Sequence, residues 1–92
     1  MTYKVITTRK FDKDVKRCQK RGLPLDKLKV VVKLLAETGQ LPSHYRPHKL
    51  SGKFNGVWEC HIMADWLLIW EQRDEELLLL LTDTGSHSEI FG

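Results

Sequence analysis

The sequence predicts an α+β fold in the order β-α-α-β-β-β, a small, mainly antiparallel sheet with a two-helix hairpin packed on one face. Three observations predict it. Apolar residues recur at helical spacing in two runs between Thr8 and Thr38. Val57–Trp70 is rich in branched and aromatic residues on either side of a tight turn near Met63-Ala64-Asp65. Leu77–Thr82 adds one more apolar strand after the polar turn Gln72-Arg73-Asp74-Glu75. At 92 residues the chain fits one domain, 1–92, with a modest core.

Tyr3–Thr7 is the first strand. Thr8 then caps a helix whose stripe is Phe11, Val15 and Cys18, and Gly22 and Pro24 end it. A second helix runs from about Leu25-Asp26 to Thr38, with Gly39 at its C-terminal end; Leu28, Val31, Val32 and Leu35 form the buried stripe and Lys27, Lys29 and Lys33 face outward. Gln40–Gly52 holds Pro42, Pro47 and Gly52 and reads as a long loop, a type of segment that is often functional. In the hairpin, Trp58, Cys60 and Ile62 share the core face, while Val57, Glu59, His61 and Met63 share a face predicted to stay open. After the last strand come Asp83–His87 and a short tail ending Ile90-Phe91-Gly92.

Hydrophobic content of 41% and charged content of 29% are ordinary for a soluble protein. The longest apolar run, Leu77–Leu81, is too short to span a bilayer and the N-terminus has no signal-like run, so the expectation is a cytoplasmic protein without a membrane partner. Cys18 and Cys60 sit in apolar patterns on different elements and are expected as buried free thiols. Charge is lopsided. Residues 1–53 carry 14 Lys+Arg against 4 Asp+Glu, and residues 54–92 carry 1 against 8, so a polyanion or an acidic protein is the expected partner of the first part.

Histidines stand at positions 44, 48, 61 and 87. Imidazole titrates near neutral pH and is the natural proton carrier for cleaving a phosphodiester without a metal. His48 precedes the sheet, His61 lies on its open face and His87 follows its last strand, so a small meander can bring the three together. Cys60 and His61 are strand neighbours and point to opposite faces. No Cys-x-x-Cys, His-Glu-x-x-His, Gly-x-Ser-x-Gly or phosphate-binding glycine loop occurs, so neither metal nor cofactor is expected. Asp65 is either a turn residue or a group that holds a histidine or moves a proton. Trp66 and Phe91 are candidates for stacking on bases, and Arg46, Lys49 and Lys53 for contacting phosphates.

Three stretches carry a family likeness: Leu50-x-Gly52, the run Gly56-x-x-Glu59-Cys60-His61-Ile62-x-x-Asp65-Trp66-Leu67-Leu68-Ile69-Trp70, and the terminal Thr84-Gly85-Ser86-His87-Ser88-x-x-Phe91-Gly92. Together they resemble the YafQ-type branch of the RelE/ParE toxin superfamily, and the likeness covers nearly the whole chain. The resemblance implies the toxin of a type II toxin–antitoxin pair, acting as a ribosome-dependent mRNA endoribonuclease that cuts in the ribosomal A site without a metal. It also implies a sheet whose concave side receives RNA and a functional set at His48, His61, Asp65, Trp66, His87 and Phe91. The implied partners are a cognate antitoxin, the ribosome and mRNA, with operator DNA reached through the antitoxin. One departure stands out: related toxins often have an arginine before the terminal Thr-Gly-x-His, where this chain has Asp83. Arg46, Lys49, Lys53 or the ribosome would then have to neutralise charge on the phosphate. The alternatives are a ParE-type gyrase poison on the same scaffold and a non-catalytic RNA- or protein-binding module.

Overall fold

The computed structural model describes residues 2–52 and 56–92. Five strands form one sheet in the order β1-β5-β4-β3-β2, with β1 at Lys4–Thr7, β2 at His48–Lys49, β3 at Val57–Met63, β4 at Trp66–Arg73 and β5 at Leu78–Gly85. β1 runs parallel to β5; the other three pairings are antiparallel. Helices α1 (Arg9–Lys20) and α2 (Leu25–Thr38) lie between β1 and the rest of the sheet in sequence, and a short α3 (His87–Phe91) closes the chain.

Strand alternation decides which side is which. On β4, Trp66, Leu68 and Trp70 turn toward the helices and join Cys60, Ile62, Leu79 and Leu81 around Phe11, Cys18, Leu28, Val31 and Leu35. A bulge between Ile69 and Trp70 leaves Thr82 unmatched, since Ile69 pairs with Asp83 and Trp70 with Leu81. That extra residue inverts the alternation of β5. Thr84 therefore joins the helix side, and Asp83 falls in the row of Ile69 and Glu59.

Three expectations are corrected. The predicted loop Gln40–Gly52 contains a 3-10 turn, Ser43–Tyr45, and then β2, which adds an edge to the sheet in register with Trp58 and Glu59. Two residues of strand are too short for alternation to reveal. The tail is a helix, because Ser86 and Glu89 form a capping box: Ser86 Oγ accepts from the Glu89 N–H and Glu89 Oε1 accepts from the Ser86 N–H. The face carrying His61 is also less bare than predicted, for Leu67, Ile69 and Glu59 on it are 1%, 3% and 5% exposed.

Gly39 ends α2 in the left-handed region at φ 72°, and a Cβ there would lie 2.7 Å from the Tyr3 ring. That ring is held in turn, its hydroxyl donating to Asp74 Oδ1 at 2.6 Å, while Gln72 Nε2 donates to the Gly39 carbonyl at 3.0 Å. Gly39→Ala is therefore expected to destabilise the fold by more than about 1 kcal/mol, read by urea or thermal unfolding.

Candidate active site

β2 and β3 build the first half of the site. Their register sets His48 opposite Glu59, and strand alternation sets His61 on the same face as Glu59. His48 Nε2 lies 3.1 Å from Glu59 Oε1, and His61 Nε2 lies 3.9 Å from the same oxygen. The other ring nitrogen of His48, Nδ1, is 2.8 Å from the carbonyl oxygen of Arg46. Arg46 adopts a left-handed conformation at φ 51° where the 3-10 turn ends. The carboxylate is buried at 7% side-chain exposure, whereas His48 and His61 are 48% and 29% exposed. The rings thus remain open to a substrate from outside.

The second half is built where β5 runs into α3. Asp65, in the β3–β4 turn, accepts the backbone N–H of His87 at 3.1 Å. The His87 ring lies 4.9 Å from that of Phe91, one helical turn on. A buried network holds this end of β5: Thr84 N–H donates to Asp14, Arg17 donates to the Thr84 carbonyl, and the Trp66 indole N–H donates to the Thr84 hydroxyl. Arg17 Nε also lies 2.9 Å from Glu89 Oε2, an ion-pair distance without hydrogen-bond alignment, and Arg21 reaches Glu89 Oε1 at 2.6 Å. Gly85 makes room for this, because a Cβ there would meet Arg17 Nη2 at 2.6 Å.

Pairing joins the halves. His61 pairs with Leu67 and Leu67 with Gly85, so one row across three strands runs from His61 to the residue two before His87. Two strand spacings are about 10 Å. The row thus sets the backbone of His61 two strands from that of Gly85, with His87 and Phe91 following at that end of β5.

Trp66 and Lys49 lie elsewhere. Trp66 is 1% exposed on the helix side, so its ring is not a platform for a base; it anchors Thr84 instead. Lys49 follows His48 on the strand and so points to the opposite face, its ammonium 5.6 Å from the Trp58 ring centroid. Arg46 is exposed and borders, with His44, His61 and Met63, a cleft of about 360 Å³. Lys53 lies outside the described residues. Asp83 is paired, 2.9 Å from Lys10 Nζ, which also bridges to Asp14. Burial pushes the Cys60 thiol up to about 12, so it stays protonated and is no nucleophile. Among the described residues no group of three or more His, Cys, Asp or Glu side chains is arranged to hold a metal ion.

Sequence reasoning passed over Asp14, Arg17 and Glu89. The Ser-x-x-Glu signature at Ser86 was available for Glu89. Asp14 and Arg17 read as one more pair of charges on a polar helix, because Thr84, the residue to which both bond on β5, is 67 or more positions away.

Comparison with known proteins agrees with this fold. The profile of the family described as bacterial toxin of type II toxin-antitoxin system, YafQ, matches residues 3–92. The mRNA interferase toxin YafQ of Escherichia coli is 40% identical over 83 residues, which are 89% of this chain and 88% of that protein. Solved structures of Escherichia coli YafQ alone and in the DinJ-YafQ toxin-antitoxin complex each superpose with a TM-score of 0.90. The first is 35% identical and covers 98% of this chain and 99% of its own; the second is 34% identical and covers all of both.

The Ser86 backbone N–H, helped by its hydroxyl and by Arg17 and Arg21, holds the Glu89 carboxyl below its ordinary range. A depressed folded-state pKa contributes stability that is complete above the unfolded value of about 4.3 and is lost as pH falls through the folded value. Glu89→Gln is expected to be less stable than the parent at pH 7, with the gap closing on acidification. Unfolding curves for both proteins between neutral and acid pH read this directly.

Proposed function

Because the chain belongs to the YafQ family of bacterial type II toxins, we propose that it is an mRNA interferase, an endoribonuclease that cuts mRNA in the ribosomal A site. The 2′-hydroxyl of the RNA attacks the adjacent phosphorus and the bond to the 5′ oxygen breaks. The products are a 2′,3′-cyclic phosphate and a free 5′-hydroxyl, with no metal taking part. The step needs a base for the 2′-OH, an acid for the leaving oxygen, and charge complementarity at the phosphate. His87 is the acid. His61 supplies the base with His48 in a positioning role beside it, and Asp65 positions His87 by accepting its backbone N–H. Phe91 stacks against a base from beside His87, and Arg46 meets the phosphate at the edge of the cleft.

The observation that supports this most is the row His61–Leu67–Gly85, in which His61 stands two strands from the residue two positions before His87. The lysine- and arginine-rich helices fit ribosomal RNA, with a strong salt dependence expected. A cognate antitoxin is the protein partner, in keeping with the DinJ-YafQ complex. Its acidic or amphipathic segment would fold on the basic surface, and operator DNA would be bound through the antitoxin. No helix among the described residues is long and apolar enough to cross a membrane, which is compatible with a cytoplasmic site of action.

Mapping 5′ ends in cells expressing the parent or His87→Ala tests the reading. The parent is expected to create new A-site ends bearing 5′-hydroxyls, and His87→Ala to reduce them by about 100-fold or more. A 2′-deoxy substitution at the cleaved nucleotide should abolish cutting. Equal cutting by His87→Ala, or efficient cleavage of the deoxy substrate, overturns the mechanism. Growth arrest without new A-site ends would instead favour gyrase poisoning.

A further inference from the structure

We propose that Glu59 is a positioning residue for this reaction, holding His48 at 3.1 Å and stabilising positive charge that forms on His61, 3.9 Å from the same carboxylate oxygen; the inference rests on the nuclease reading above. Glu59 is 5% exposed at the middle of β3, on the face where Leu67 and Ile69 are also buried. A charge in that position costs free energy unless it is partnered, and an apolar residue would serve the fold better. Among the described residues its ion-pair partners are two imidazoles and no lysine or arginine. A carboxylate buried against groups that change charge during catalysis, rather than against permanent cations, contributes most when those groups become charged.

The hydrogen bonding of His48 sharpens the point. A carbonyl oxygen only accepts, so the 2.8 Å contact with Arg46 puts the hydrogen of His48 on Nδ1. Nε2, 3.1 Å from Glu59 Oε1, then makes a hydrogen bond when it too bears hydrogen. In the proposed step the 2′ O–H bond breaks and an N–H bond forms on His61, turning a neutral ring into a cation beside the Glu59 carboxylate. A fixed carboxylate beside the ring favours that change, as the aspartate of a serine-protease triad does. Both nitrogens of His48 are thereby engaged, so the proton goes to Nδ1 of His61, the nitrogen opposite the one that lies 3.9 Å from the Glu59 oxygen.

The test compares the parent, Glu59→Gln and Glu59→Asp on ribosome-bound mRNA. Carboxylates that orient an imidazole from outside the reacting atoms contribute about 10- to 100-fold where they serve metal-bound histidines, and more in the protease triad. Glu59→Gln is accordingly expected to lower kcat about tenfold or more with KM for the ribosome complex unchanged. Glu59→Asp, which keeps the charge, should retain more activity. In long-range ¹H–¹⁵N imidazole spectra of the free protein, Glu59→Gln should move the His48 Nε2 signal and leave Nδ1 bonded to Arg46. Parental kcat in Glu59→Gln overturns the proposal. So does an equal loss in both variants that follows a fall in Tm, since that is a purely structural role. If the parent cuts mRNA and Glu59→Gln cuts as well, only the role of Glu59 falls; if the parent does not cut, the nuclease reading falls and this one with it.

Discussion

Thr84 is fully buried, and each of its polar groups is committed. Its N–H donates to Asp14, its carbonyl accepts from Arg17, and its hydroxyl accepts from Trp66 and donates to the Leu67 carbonyl at 2.8 Å. One residue thereby ties α1, β4 and the end of β5 just ahead of α3. Buried polar groups left without partners cost about 1–3 kcal/mol each, so the arrangement is close to all-or-none. Its consequence is functional. His87 sits on a helix of 5 residues, too short to be stable alone, and its position is inherited from Thr84, from the Ser86–Glu89 capping box and from the Asp65 contact. The acid and the base of the proposed reaction are thus held by separate supports that meet through a single row of the sheet.

Much of this was legible from pattern. The stripe Leu28, Val31, Leu35 on α2 and the alternation Trp58, Cys60, Ile62 on β3 need only a period to be read, and each was read on the correct side. What was not legible depended on long-range pairing. The two residues of β2 become a strand because β3 offers an edge, and that pairing turns His48 from a loop residue into the cross-strand neighbour of Glu59. Lys49 was misplaced for the same reason, since its direction follows from a strand too short to predict. Trp66 was misread differently. Next to Asp65 in the sequence it looks like part of the site, yet the parity of β4 sends it to the opposite side. The bulge opposite Thr82 is a further case, because an extra residue in one strand leaves no mark on either strand read alone.

The electrostatics of the site follow from the same geometry. Glu59, Asp65 and Asp83 all lie on or beside the face proposed to receive a phosphodiester, and the single fixed cation bordering the cleft is Arg46 among the described residues. Lys10 neutralises Asp83 but is shared with Asp14, which leaves it poorly disposed to take on a phosphate as well. An anionic substrate brought to such a surface is opposed by the carboxylates at short range and attracted by the basic helices at longer range. The groups able to change the local balance are the imidazoles themselves, which become cations on taking up a proton. In the proposed reaction the residues that move protons therefore also supply positive charge beside the phosphate, and the Glu59 carboxylate, near both His48 and His61, steadies that charge. On the proposed mechanism Asp83, at a position where the family resemblance often implies an arginine, is tolerated because positive charge is delivered by histidine during the reaction instead of being stored in the resting protein.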